Sequence, residues 1–115
     1  MPTSTLLRSQ DGKTVFRQAW LMESLFERMR GLIGNHSPDP SQAWIFENCR
    51  SVHTCFMSVP IDIIETDGFG RVLSVRTSRP WQFVHSTLNA EHVIETAANS
   101  ARKAGIEPGT VLIWR

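Results

Sequence analysis

Histidine, cysteine and methionine stand at every second position in the segment His53, Cys55, Met57. In an extended strand, alternate side chains point to the same face. These three would then share one face, which opens three chemistries: a copper or zinc site, a thiol nucleophile beside its base, or packing. Side chains two apart on a strand are separated by about 7 Å along it. Ligands of one tetrahedral ion reach it over bonds of roughly 2.0 to 2.3 Å, so three from one straight strand would strain. Continuing the alternation adds Val59, Ile61 and Ile63 to the face, an apolar run interrupted only by Pro60 between them. Packing is therefore the reading adopted, with Cys55 and Met57 as core filler. A metal site at His53, Cys55 and Met57 is kept as the alternative. A nucleophilic Cys55 would need a lowered thiol pKa, an oxyanion hole and an orienting third group, and the sequence nominates none of the last two.

Asp62 raises a different question, because it lies inside an apolar run where an unpaired carboxylate is costly. It must be ion-paired or accept backbone hydrogen bonds. Arg28, Arg30 and the amides of a nearby turn are its expected partners, which makes Arg28, Arg30 and Asp62 a structural or pocket anchor. A second group of polar and aromatic residues, Arg76, Arg79, Trp81 and His85, falls in a stretch that Pro80 keeps out of regular pairing. Cations interleaved with aromatics suit a partner's surface or a phosphate, and long loops host function more often than strands do. These four are the candidate binding residues. No catalytic residue is assigned and no cofactor is implied.

The elements that must position these groups follow from pattern. A chain of 115 residues is one ordinary domain, and 41% apolar with 20% charged residues is a globular composition. A formal charge of +1 offers no bulk field for nucleic acid or anionic lipid. No signal peptide or membrane-length apolar run is visible, so a cytoplasmic location is expected and both cysteines, Cys49 and Cys55, should be reduced. Asp11-Gly12 predicts a hairpin turn into a half-buried strand from Thr14. Ser24 and Glu27 form a capping box for a short amphipathic helix ending at Gly31 or Gly34. Strands are expected over 43–46, 52–58, 61–66, 71–76, 92–96 and 111–114, with Asp67-Gly68 turning a hairpin and a long loop over 77–89. Asn99 is placed to cap a second short helix over 100–104 that Gly105 stops. The rhythm is not that of alternating strand and helix. The expected fold is mainly β: a compact antiparallel β-sandwich or partly open barrel with two short helices, as a single domain over residues 1–115.

Three blocks carry a family resemblance: "ERMRGLIG" from Glu27, "HTCFMSVPIDIIETDGFGRV" from His53 and "HVIETAANSARKAGIEPGTVL" from His92. Together they resemble the bacterial and archaeal family catalogued as domain of unknown function 192, over roughly residues 13 to 115. Phe56, Met57, Pro60, Ile61 and Asp62 match its aromatic-Met and Pro-Ile-Asp element, and Gly105-Ile106 matches the close of its last helix. Ile33 stands where Met is usual, Phe69-Gly70 lengthen the Asp-Gly hairpin, and Ala98-Asn99 replaces Ala-Gly. The resemblance implies a β-sandwich-like fold with a helix or two and no assigned activity; some relatives carry export signals. The expected function is a non-catalytic binding or accessory module for an unknown ligand or protein partner. The alternative is a small enzyme or metal-binding protein using His53, Cys55, Met57 and Asp62.

Overall fold

The Asp11-Gly12 turn joins β1(Thr3–Ser9) to β2(Thr14–Leu21), which pair antiparallel. Gly12 takes the left-handed φ of +88° that such a tight turn needs, and Asp11 Oδ1 accepts the Lys13 amide at 3.0 Å. The structure is a computed structural model and describes residues 3–22, 39–49, 52–53, 60–79, 83–84 and 88–114. The further elements are β3(Gln42–Phe46), β4(Val52–His53), β5(Ile61–Thr66), β6(Val72–Ser78), β7(Phe83–Val84), β8(His92–Ala97), α1(Ser100–Lys103) and β9(Leu112–Ile113). The expected early helix over Ser24 to Gly34 lies outside the described residues.

A seven-stranded sheet runs in the order β6-β5-β8-β3-β2-β1-β9, and β4 and β7 form a separate two-stranded sheet. The mainly β fold expected from the pattern is thus the one formed, with one helix among the described residues. Pairing is antiparallel except between β2 and β3, which run parallel with Ala19 opposite Ala43 and Leu21 opposite Ile45. A parallel neighbour needs a crossover of about a dozen residues or more, and the connection from Leu21 to Gln42 is that long. The outer strands of the large sheet meet at one corner. Arg71 bridges Val111, the Val72 amide donates to the Thr110 carbonyl at 2.8 Å, and the Leu112 amide donates to the Gly70 carbonyl at 2.9 Å. β6 and β9 do not pair as strands, so the sheet is curled into a partly open barrel and not closed.

The three strands β3, β5 and β8 carry the core, and all six residues of β5 and of β8 are buried. Both faces of these strands are covered, so their polar residues, Asp62, Glu65, Thr66, His92, Glu95 and Thr96, are buried along with the apolar ones. One face packs Ile64, Ile94, Ile45 and Leu21 in a row with Phe16, Val72, Ala101, Ile106, Leu112 and Trp114. The opposite face packs Ile61, Ile63, Val93, Trp44, Phe46 and Met22. There the rings of Trp20 and Trp44 lie 5.3 Å apart.

Two expectations about strand membership change. β4 and β5 belong to different sheets, so the alternation starting at His53 does not continue through Ile61 and Ile63 on one face. β6 runs on to Ser78, past the expected end at Arg76, so Thr77 and Ser78 belong to a strand and not to the loop, while Arg76 lies in the strand opposite Ile63.

Candidate functional site

Asp62 is 2% exposed on the barrel-core face of β5. Its Oδ1 accepts the Thr77 hydroxyl at 2.7 Å and the Asn99 amide at 3.0 Å, and its Oδ2 accepts the Ala101 amide at 3.0 Å. The amides of the turn from β8 into α1 therefore satisfy the carboxylate. Asn99 holds the N-cap position with φ 68° but makes no side-chain cap bond. The cap expected from Asn99 is supplied instead by Asp62 from a neighbouring strand, because the left-handed backbone at Asn99 turns its own side chain away from that task. Arg28 and Arg30 lie outside the described residues.

The other sheet face holds two more buried carboxylates. Glu65 is paired with Arg76 and accepts the Ser74 hydroxyl at 2.7 Å. Glu95 lies opposite Trp44 on one side and Ile63 on the other. Burial raises its carboxyl to about 7. Glu65 faces Val93, so the two carboxylates are diagonal neighbours across β5 and β8. Nothing in the sequence reading nominated them, although a Glu inside an apolar strand is the same signal that drew attention to Asp62.

An accessible constellation among the described residues sits at the end of the sheet where the β5–β6 hairpin, the β3 end, the turn before β8 and β9 come together. The hairpin is fixed by Asp67, whose Oδ1 accepts the Phe69 amide at 2.9 Å and the Arg71 amide at 3.0 Å. This folds the tip so that Phe69 stands 90% exposed. Beneath it opens a cleft of about 240 Å³, with Trp114, His92 and Glu47 in its lining. The Trp114 indole N–H donates to Glu47 Oε2 at 3.0 Å, and the His92 ring stands edge-on to Trp114 at 5.5 Å. The Asn48 amide donates to His92 Nδ1 at 3.1 Å, so the proton of the neutral imidazole sits on Nε2. A second opening of about 420 Å³ lies alongside, lined by Asn48, Asn89, Ala90 and Glu91. The two meet at Gly68, which lines the first; a Cβ there would come within 2.6 Å of Glu91 Oε2. Glu47 and Asn48, and likewise Glu91 and His92, are chain neighbours that serve different openings.

Among the described lining residues there is no thiol, hydroxyl or amine nucleophile. What they offer is hydrogen-bond acceptance, donation from carboxamide and imidazole, and apolar contact, which is the chemistry of recognition. Of the residues predicted from sequence, Asp62, Arg76 and Arg79 are not among the described lining residues of either opening. Arg76 is engaged with Glu65, Arg79 is exposed after β6, and Trp81 and His85 lie outside the described residues. His53 belongs to β4, while Cys55 and Met57 lie outside the described residues. No group of three metal-binding side chains occurs among the described residues. The one sequence sign of the accessible site was Phe69, an aromatic in a turn that small and polar residues usually fill.

A partly open, mainly β barrel with clefts at its hairpin end is the class this geometry defines. The chain matches, over residues 6–114, the model of domain of unknown function 192, described as "Uncharacterized ACR", and belongs to that family. It is 28% identical over 115 residues to a UPF0127 protein of Thermococcus sibiricus, covering 95% of this chain and 73% of that one. With a UPF0127 protein of Thermococcus gammatolerans it shares 26% over 113 residues, covering 95% and 74%. Among solved structures, a Sinorhizobium meliloti protein provisionally described as a transcription regulator superposes with a TM-score of 0.83 at 16% identity, over 98% of this chain and 95% of that chain. A Novosphingobium aromaticivorans protein of unknown function gives 0.80 at 20% identity, over 98% and 85%. At these identities the likeness is one of fold. No helix among the described residues is long and apolar enough to cross a membrane.

Proposed function

We propose that this protein is a non-catalytic binding module that receives a ligand or protein partner at its hairpin end. The observation that carries the reading is Phe69, raised almost fully into solvent above a cleft whose Trp114 and His92 are held by hydrogen bonds. An exposed aromatic costs little to order and gains roughly 2 kcal/mol when a partner covers it. The polar groups around it are already oriented, so little further ordering opposes binding. The carboxylate that a hydrolytic reading would use, Asp62, has both oxygens engaged in holding α1. Arg79 and the stretch to His85 stay part of the proposal as a second contact region.

A fragment screen followed by amide NMR tests this. Fragments that bind should shift the signals of Asn48, Gly68, Phe69, Glu91 and Ile113 together and saturably, and should be recovered unchanged in mass. Fragments that shift only distant signals, or that return chemically altered, would overturn it.

A further inference from the structure

Resting on that binding reading, we propose that the occupant is an extended polypeptide segment that sets a basic side chain beside an apolar or aromatic one. The larger opening is lined by Asn48, Asn89, Ala90 and Glu91, with no cation among its described lining residues. Asn48, Asn89 and Glu91 are exposed and all three present oxygen acceptors. The Glu91 carboxylate supplies negative charge and the carboxamide oxygens accept, a set that can hold an ammonium or guanidinium group. The smaller opening is lined by Trp114, Leu112, Ile113 and Phe69 together with Glu47 and His92, and its exposed apolar surface comes mainly from Phe69 and Ile113, which suits hydrocarbon or an aromatic ring.

Both openings are clefts on the surface, and a chain lying across the two gains contacts from both, which a small molecule held in one does not. A chain lying across both would also cover Leu88, which is 81% exposed and precedes Asn89 on the rim. The openings meet at Gly68 and are served by chain neighbours, so they are a few ångströms apart. Side chains two apart on an extended segment are separated by about 7 Å on one face. The basic and apolar residues of the partner should therefore fall within about three positions of each other.

Panning a random phage-displayed peptide library on the full chain tests the inference, with enriched sequences synthesised and measured by fluorescence anisotropy. Glu91→Gln and Phe69→Ser serve as variants; both side chains are exposed, so an unchanged melting temperature shows that the fold is kept. Enriched peptides should carry Lys or Arg close to Leu, Phe or Trp, and each variant should weaken them by roughly tenfold. Acidic peptides, no consensus, or binding indifferent to both variants would overturn the inference. So would sedimentation showing a dimer that Phe69→Ser dissolves, because the occupant would then be a second copy. If fragments still shift the hairpin-end amides while peptide selection fails, the binding reading stands and the polypeptide partner falls.

Discussion

Glu95 sets the residue-scale question, since it is 6% exposed between an indole and an isoleucine. Its carboxyl is raised from 4.5 to about 7 by burial. The folded protein therefore holds this proton to higher pH than the unfolded chain does. Between about pH 4.5 and 7 the unfolded chain has lost it and the native state has not, so stability falls as pH rises through that window. The contribution is whole below that range and gone above it, and the linkage amounts to about 3 kcal/mol. Glu95→Gln should flatten this slope. Urea unfolding of both proteins at either end of the window checks it; equal slopes would mean the carboxyl is solvated. The sequence argument used for Asp62, that a charge within an apolar run must be satisfied, applied equally to Glu65 and Glu95. One of these found Arg76 as a partner and the other lies between two apolar neighbours, and only the register of β8 against β3 and β5 distinguishes them.

At the scale of elements, α1 has four residues, far too few to be stable alone. Its first amides are held from β5 by Asp62, and Ala101 and Ile106 seal it to the core. Asp62→Ala leaves the buried Ala101 amide without its acceptor and also removes the bonds from the Asn99 amide and the Thr77 hydroxyl, which belong to exposed residues and can turn to water. The expected cost is about 3 kcal/mol, or roughly 10 °C of melting temperature followed by circular dichroism. Asp62→Asn, which keeps one acceptor oxygen, should fall between Ala and wild type. A melting temperature unchanged in the Ala variant would refute the anchoring role. The existence of a short helix ending at Gly105 was legible from local signals, and Gly105 does take φ +76°. What capped it was not, because the capping group lies 37 residues away in sequence. The parallel pairing of β2 with β3 was hidden for a related reason: strand propensity and alternation say nothing about direction.

For the whole molecule, the decisive contact is the corner where the ends of the sheet meet. Gly70 has φ +87°, and a Cβ there would run into the carbonyl oxygen of Leu112. Gly12 has nearly the same backbone, φ +88°, with nothing near its Cβ position. Gly12→Ala should cost about 1 kcal/mol, from backbone strain alone. Gly70→Ala should cost at least about 2 kcal/mol, because the seam must also open. Parallel denaturant titrations of the two variants measure the difference, and equal losses would show that the seam gives way freely. The same corner places Trp114 and Leu112 beneath Phe69, so the meeting of the two ends of the sheet and formation of the candidate cleft are one event.

Taken alone, the chain determined what depends on neighbours in sequence. It specified a mainly β domain from its short turn-bounded strand segments, hairpins at Asp11-Gly12 and Asp67-Gly68, and a buried Asp62 in need of partners. The tertiary structure decided which sheet each strand joined, which carboxylate met a cation, and which surface residues gathered at one end. Those outcomes depend on strand order and register, and a shift of one residue or a change of neighbour redistributes every side chain between the two faces without altering the local pattern. Phe69, His92 and Trp114 are brought together only because the curled sheet returns its last strand to its hairpin end.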